Sequence, residues 1–176
     1  LRLQYYTSAT SSVDIAYKIN AQNQSTFGAK YAFNAWNYDF QIIAGIMNDQ
    51  YWVGGFGFAG NIEGAGFTGE ASYYAPKSDF PELKKTLIAS LGGNYMFKNS
   101  LLLNAGILFN SAGSTDKVAR SMFTMMENIS ALDYTKSRLA LFSSLSYPLN
   151  PLINFDFSGM LNPYDGSFYI GPSLNF

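Results

Sequence analysis

Alternation with a period of two runs through nearly the whole chain, and few folds can use it. In NSLLLNAGILFN, Leu101, Leu103, Ala105, Ile107 and Phe109 fall on one side of an extended backbone. Leu102, Asn104, Gly106, Leu108 and Asn110 fall on the other. In PLINFDFSGML, Ile153, Phe155, Phe157, Gly159 and Leu161 alternate with Asn154, Asp156, Ser158 and Met160. In SVDIAYKIN, Val13, Ile15, Tyr17 and Ile19 oppose Asp14, Ala16 and Lys18. Runs of this kind predict strands near 1–7, 12–20, 26–36, 38–47, 51–60, 64–74, 86–97, 101–110, 136–147, 152–161 and 167–176. Most are about ten residues long, against roughly five or six for a common globular strand. About ten is also the length a tilted strand needs to cross a bilayer.

The connections give an independent reading. Asn48-Asp49, Lys98-Asn99-Ser100 and Pro148-Leu149-Asn150-Pro151 have the chemistry of tight turns. The two long connections, 75–85 and 111–135, fall at the same end of an antiparallel meander. Short turns at one end and long loops at the other match an outer-membrane layout.

Charge decides which medium such a sheet faces. Only 13% of the 176 residues are charged while 17% are aromatic, and the net charge is −1. That balance gives no electrostatic footprint for nucleic acid. With the more hydrophobic row of each strand outward, Arg2, Asp14, Lys18, Lys30, Asp39, Glu70, Arg138 and Asp156 all fall on the opposite, lumen-facing row. Tyr5, Tyr38, Trp52, Tyr73, Tyr95, Phe97, Tyr147 and Phe168 crowd the strand ends, where membrane-interface aromatics form girdles. Hydrocarbon does not satisfy an open sheet edge, so the sheet must close. The expected fold is all-β: an antiparallel transmembrane β-barrel of about ten to eleven strands, one domain over 1–176, either whole or part of a larger barrel. A soluble barrel with the apolar row turned inward obeys the same periodicity, so that alternative stays open. No run of apolar residues is long enough for a transmembrane helix.

One segment departs from alternation. Residues 114–132, STDKVARSMFTMMENISAL, read as a short helix within the longest loop, with Ser114 or Thr115 as cap and Asp116 in the first turn. Val118, Met122, Met125, Met126 and Ile129 make an apolar stripe at helical spacing. The stripe suits packing on a rim, a plug, or a partner surface using methionine's adaptability.

Gly55-Phe56-Gly57-Phe58-Ala59-Gly60 spells GxGxxG, the fingerprint of a dinucleotide site. That fingerprint needs a helix after the strand. Here a turn at Gly60-Asn61-Ile62-Glu63 and another alternating strand follow, so the glycines Gly54, Gly55, Gly57, Gly64, Gly66 and Gly69 read as structural, small beside large in a curved wall.

Two stretches, YWVGGFGFAGNIEGAGFTGEASYY (51–74) and SLSYPLNPLINFDFSGMLNPYDGSFYIGPSLNF (144–176), resemble a group of porin-like outer-membrane proteins of Gram-negative bacteria. Members of that group are typically longer, which would make this chain a C-terminal portion. The resemblance implies the bacterial outer membrane as location and carries over no catalytic residues. Phe168, Ile170, Leu174 and Phe176 are similar to the closing strand such barrels present for assembly, from which Pro172 departs.

With no histidine and no cysteine, imidazole-based hydrolysis and thiolate metal sites cannot be built. A carboxylate pair such as Glu70 with Asp156 has the chemistry for acid–base work, but nothing in the sequence brings the two together. No enzyme, cofactor or metal is expected. Four acidic and four basic inward charges fit compensated pairs in a lumen. Three functions remain: a porin-like channel for small solutes, a non-conducting scaffold acting through its loops, or a soluble barrel for an apolar ligand. The expected partners are the lipid bilayer, and lipopolysaccharide or a protein at loops 75–85 and 111–135.

Overall fold

Eleven strands account for the described residues, 1–78, 83–115 and 137–176, in a computed structural model. They are β1 (Arg2–Ser8), β2 (Ser11–Ile19), β3 (Ser25–Ala35), β4 (Tyr38–Met47), β5 (Tyr51–Ile62), β6 (Ala65–Pro76), β7 (Thr86–Met96), β8 (Leu102–Asn110), β9 (Leu139–Asn150), β10 (Ile153–Asn162) and β11 (Ser167–Asn175). They form one antiparallel meander in which every strand neighbours its successor. The all-β class, the antiparallel meander and the strand number read from alternation therefore stand. The expected helix lies, apart from its first two residues, outside the described residues; Ser114 instead bridges Ser137.

Two boundaries differ from the sequence reading. The turn expected at 60–63 lies at Glu63-Gly64, because β5 continues to Ile62. Glu63 and Gly64 both take positive φ (50° and 87°), as a two-residue hairpin requires to match strand twist. The turn expected at 148–151 moves to 151–152, because β9 runs on through Pro148 to Asn150. A register shift between Ile153 and Asn154 absorbs the proline there.

The remaining turns show why the register holds. Trp36 and Asn37 (φ 54° and 64°) close the β3–β4 hairpin, and Asn48 and Asp49 (φ 51° and 57°) close β4–β5. The latter turn is tied back to β3, since Asn48 N–H donates to Thr26 Oγ1 (3.1 Å) and Ser25 N–H to Asp49 Oδ2 (2.6 Å). Connections after odd-numbered strands are short (9–10, 36–37, 63–64, 97–101, 151–152). The long ones, 77–85 and 111–138, both follow even-numbered strands, but so do the short connections 20–24, 48–50 and 163–166. The Asn48-Asp49 turn therefore lies at the end of the long loops, and the expected sorting by length holds only in part.

Contacts cluster into two units, one of residues 1–60 and 68–88, the other of 61–67 and 89–176. In each, glycines receive a side chain from the neighbouring strand. In the first unit the Tyr38 ring lies over Gly60, and Gln41 lies over Gly57, where a Cβ would come 2.7 Å from Nε2. In the second, Asn94 lies over Gly66 and Phe142 over Gly106. This is the physical demand behind the GxGxxG match. Two of its glycines leave floor space for ladder neighbours, and all of it lies in β5.

Gly60→Ala is expected to cost roughly 1–3 kcal/mol, because the Tyr38 ring must leave its seat. Gly54→Ala, whose Cβ meets nothing within 4 Å, should be neutral or slightly stabilising. Urea unfolding followed by tryptophan fluorescence distinguishes the two.

Candidate functional site

Residues paired across an antiparallel ladder share a face, so the register sorts every side chain. In the first unit Gln4 faces Asp14, Asp14 faces Lys30, and Lys30 faces Ile43. Ala32 faces Gln41, and Asn34 faces Asp39. Arg2 faces Ala16 and Lys18 faces Thr26. Arg2, Asp14, Lys18, Lys30 and Asp39 therefore share one face. Glu70 joins them, because Gln41 Nε2 reaches its Oε1 at 3.5 Å across the space Gly57 leaves. In the second unit Asp156 faces Ser146 and Ser158 faces Ser144, on the row that runs back along β9 to Arg138.

The opposite rows carry no charge. Val13–Tyr31–Ile42–Phe56 and Tyr17–Phe27–Ile46–Trp52 are continuous cross-strand rows in the first unit. Leu103–Leu145–Phe157 and Ile107–Leu141–Leu161–Phe168 are their counterparts in the second. Tyr5, Tyr38 and Trp52 lie on the uncharged face of the first unit by register, and Tyr147 and Phe168 on that of the second. Tyr73 lies in β6 an odd number of residues from Glu70, hence on the face away from it. Tyr95 and Phe97, at the end of β7, pack edge to face at 4.8 Å. Lys77 holds its ammonium 5.3 Å from the Trp52 ring centre. Leu103 and Phe155 stand near the ends of β8 and β10; Ile107 and Phe157 occupy the middles.

Burial is inverted relative to a protein with an oily interior. Among the described residues Asp14 (6% exposed) and Asn110 (1%) are buried with Thr86, Ser137 and Asn162. On the uncharged face Ile42 and Phe56 are 47% and 46% exposed.

The expected compensated pairs are present only in part. Asp14 lies between two cations, with Oδ1 2.9 Å from Arg2 Nη2 and Oδ2 3.2 Å from Lys30 Nζ. The other three carboxylates are met by amides. Asn34 Nδ2 donates to Asp39 (2.8 Å), Gln41 to Glu70, and Asn175 Nδ2 to Asp156. An amide satisfies a carboxylate's lone pairs without cancelling its charge, so these three keep theirs. Sequence reasoning missed the amides, although Asn34 and Asp39 flank the Trp36-Asn37 turn symmetrically and were legible as a cross-strand pair. Glu70 and Asp156 lie in different units, each with its own amide. Arg138 donates from Nη2 to the Ser111 carbonyl (3.2 Å).

A hollow of about 230 Å³ opens on the charged face of the first unit. Its polar lining is Asp39, Gln41, Thr68 and Glu70, over the small residues Ala32, Gly57 and Ala59. Among the described residues no group of three or more acidic side chains converges as a metal site would. No family model, curated protein or solved structure matches the chain.

Asp14→Asn leaves Arg2 and Lys30 facing each other without their shared counter-charge. Its urea midpoint should fall below that of wild type, and adding Lys30→Gln should recover part of the loss. A double-mutant comparison at low and high salt checks both steps.

Proposed function

We propose that this chain forms the wall of a porin-like β-barrel in the bacterial outer membrane and passes small solutes. One observation carries the reading: uncharged apolar rows continue from strand to strand on one face and stay exposed, while the buried set is mostly polar. Water disfavours such a face by about 25 cal/mol per Å², whereas acyl chains accept it. Strands of up to 12 residues are long enough to span the hydrocarbon. The aromatics near their ends, with Lys77 over Trp52, have the chemistry of an interfacial belt. The opposite row then lines a lumen, and acidic and basic groups on it give no large excess of either sign.

The proposal carries a topological demand. The outer edges of β1 and β11, the two ends of the strand order, must be hydrogen-bonded in the membrane. Single-chain bacterial barrels have even strand numbers, so the full wall includes at least one strand beyond these eleven. The long connections, 77–85 and 111–138, both follow even-numbered strands, and lipopolysaccharide or a protein is the partner proposed for them.

Ile107→Arg and Phe157→Arg, at mid-strand on the uncharged face, should each cost about 2–4 kcal/mol of folding into vesicles, and Leu103→Arg, near a strand end, about 0–1. Ser158→Arg, on the opposite row, should fold normally. Equal penalties on both faces would sink the facing assignment. Planar-bilayer recording of the full-length protein tests transport itself: discrete conductance steps are expected, and a folded, inserted protein that passes no current would reject the channel.

A further inference from the structure

Charge on the first unit's inner row is sorted along the strand direction, not merely balanced. The ladder stacks that face into successive levels, each about 7 Å from the next, since two residues of an extended strand advance that far. Lys18 lies at the level of Thr26, next comes Arg2 with Ala16, and then Asp14 with Lys30. Below these come Ala32 with Gln41 and Gly57, where Gln41 holds Glu70, and finally Asn34 with Asp39 and Ala59. The three upper levels hold three cations and one anion, a formal excess of +2; the two lower levels hold Glu70 and Asp39, a formal excess of −2.

Side-chain contacts keep this separation from collapsing. Asp14 is held between Arg2 and Lys30, so both cations have a carboxylate partner within the upper levels and do not reach toward Glu70 and Asp39. Glu70 and Asp39 are held by Gln41 and Asn34, which fix the carboxylates in place while leaving them charged. The 230 Å³ hollow lies at the anionic end, where glycine and alanine keep the floor low beneath the two carboxylates.

We infer that this wall favours small solutes carrying both signs of charge, an inference that rests on the channel reading above. A simple ion is attracted by one end of the wall and repelled by the other. A neutral polyol gains from neither. A zwitterion aligned with its ammonium toward Asp39 and Glu70, and its carboxylate toward Lys30, Arg2 and Lys18, is stabilised at both. Glu70 and Lys30, at adjacent levels, lie within the screening length of about 8 Å at physiological salt, so this pair carries the preference there. Asp39, Arg2 and Lys18, two or more levels from the opposite cluster, add to it at low salt.

The test is liposome swelling with the full-length protein, comparing glycine betaine with erythritol, a neutral solute of nearly equal mass. Betaine should enter about threefold faster, a modest use of the local enrichment that charged walls provide. Asp39→Asn combined with Glu70→Gln should bring the ratio to one, with the β-sheet circular dichroism of wild type retained. Equal entry in wild type, or a preference that survives the double substitution, overturns the inference and leaves the channel reading standing. Entry of neither solute removes the channel reading and this inference with it.

Discussion

Register is the constraint on which everything else in this protein depends. A sheet with one charged and one apolar row per strand works only if every ladder pairs like with like. A slip of one residue would carry Asp14, Lys30 or Asp39 to the face occupied by Phe27, Ile42 and Phe56. The hairpin turns set it locally. Trp36-Asn37, Asn48-Asp49 and Glu63-Gly64 all hold positive φ, a conformation that most residues avoid. The Asp14 bridge to Arg2 and Lys30 ties three strands together at the same register.

A sheet organised in this way distributes its stabilising contacts differently from a core-forming domain. Glycine is used as floor space: Tyr38 over Gly60, Gln41 over Gly57 and Phe142 over Gly106 turn flat backbone into cross-strand contact. The aromatic series from Tyr31 through Phe33 and Phe40 to Phe56 and Phe58 runs at centroid spacings of 5.3–6.2 Å over three strands. The aromatic series and Tyr38 over Gly60 stiffen the apolar face without burying it. The functional proposal follows from that division, since a face that is apolar and uncovered needs a medium, and a face that is polar and opposed to it needs a passage.

Much of the fold was legible in the chain itself. Alternation located all eleven strands to within three residues at every end, because the side-chain period of an extended backbone leaves a trace no helix shares. The parity of the long loops followed from the strand count alone. The GxGxxG match is settled by the sequence, because no helix-forming pattern follows Gly60. The sequence also determined which residues share a row: charges at even spacing within a strand cannot avoid one another's face.

Only the tertiary arrangement decided which of those charges meet. Alternation ranks residues by face but carries no information on level along the neighbouring strand, and level is what separates a salt bridge from an isolated carboxylate. Four acids and four bases suggested four pairs. The ladder instead placed Asp14 beside both Arg2 and Lys30, and gave Asp39, Glu70 and Asp156 to Asn34, Gln41 and Asn175. Composition could set the number of charges and periodicity their side; the offset between strands, fixed by turn length and bulges, set their partners.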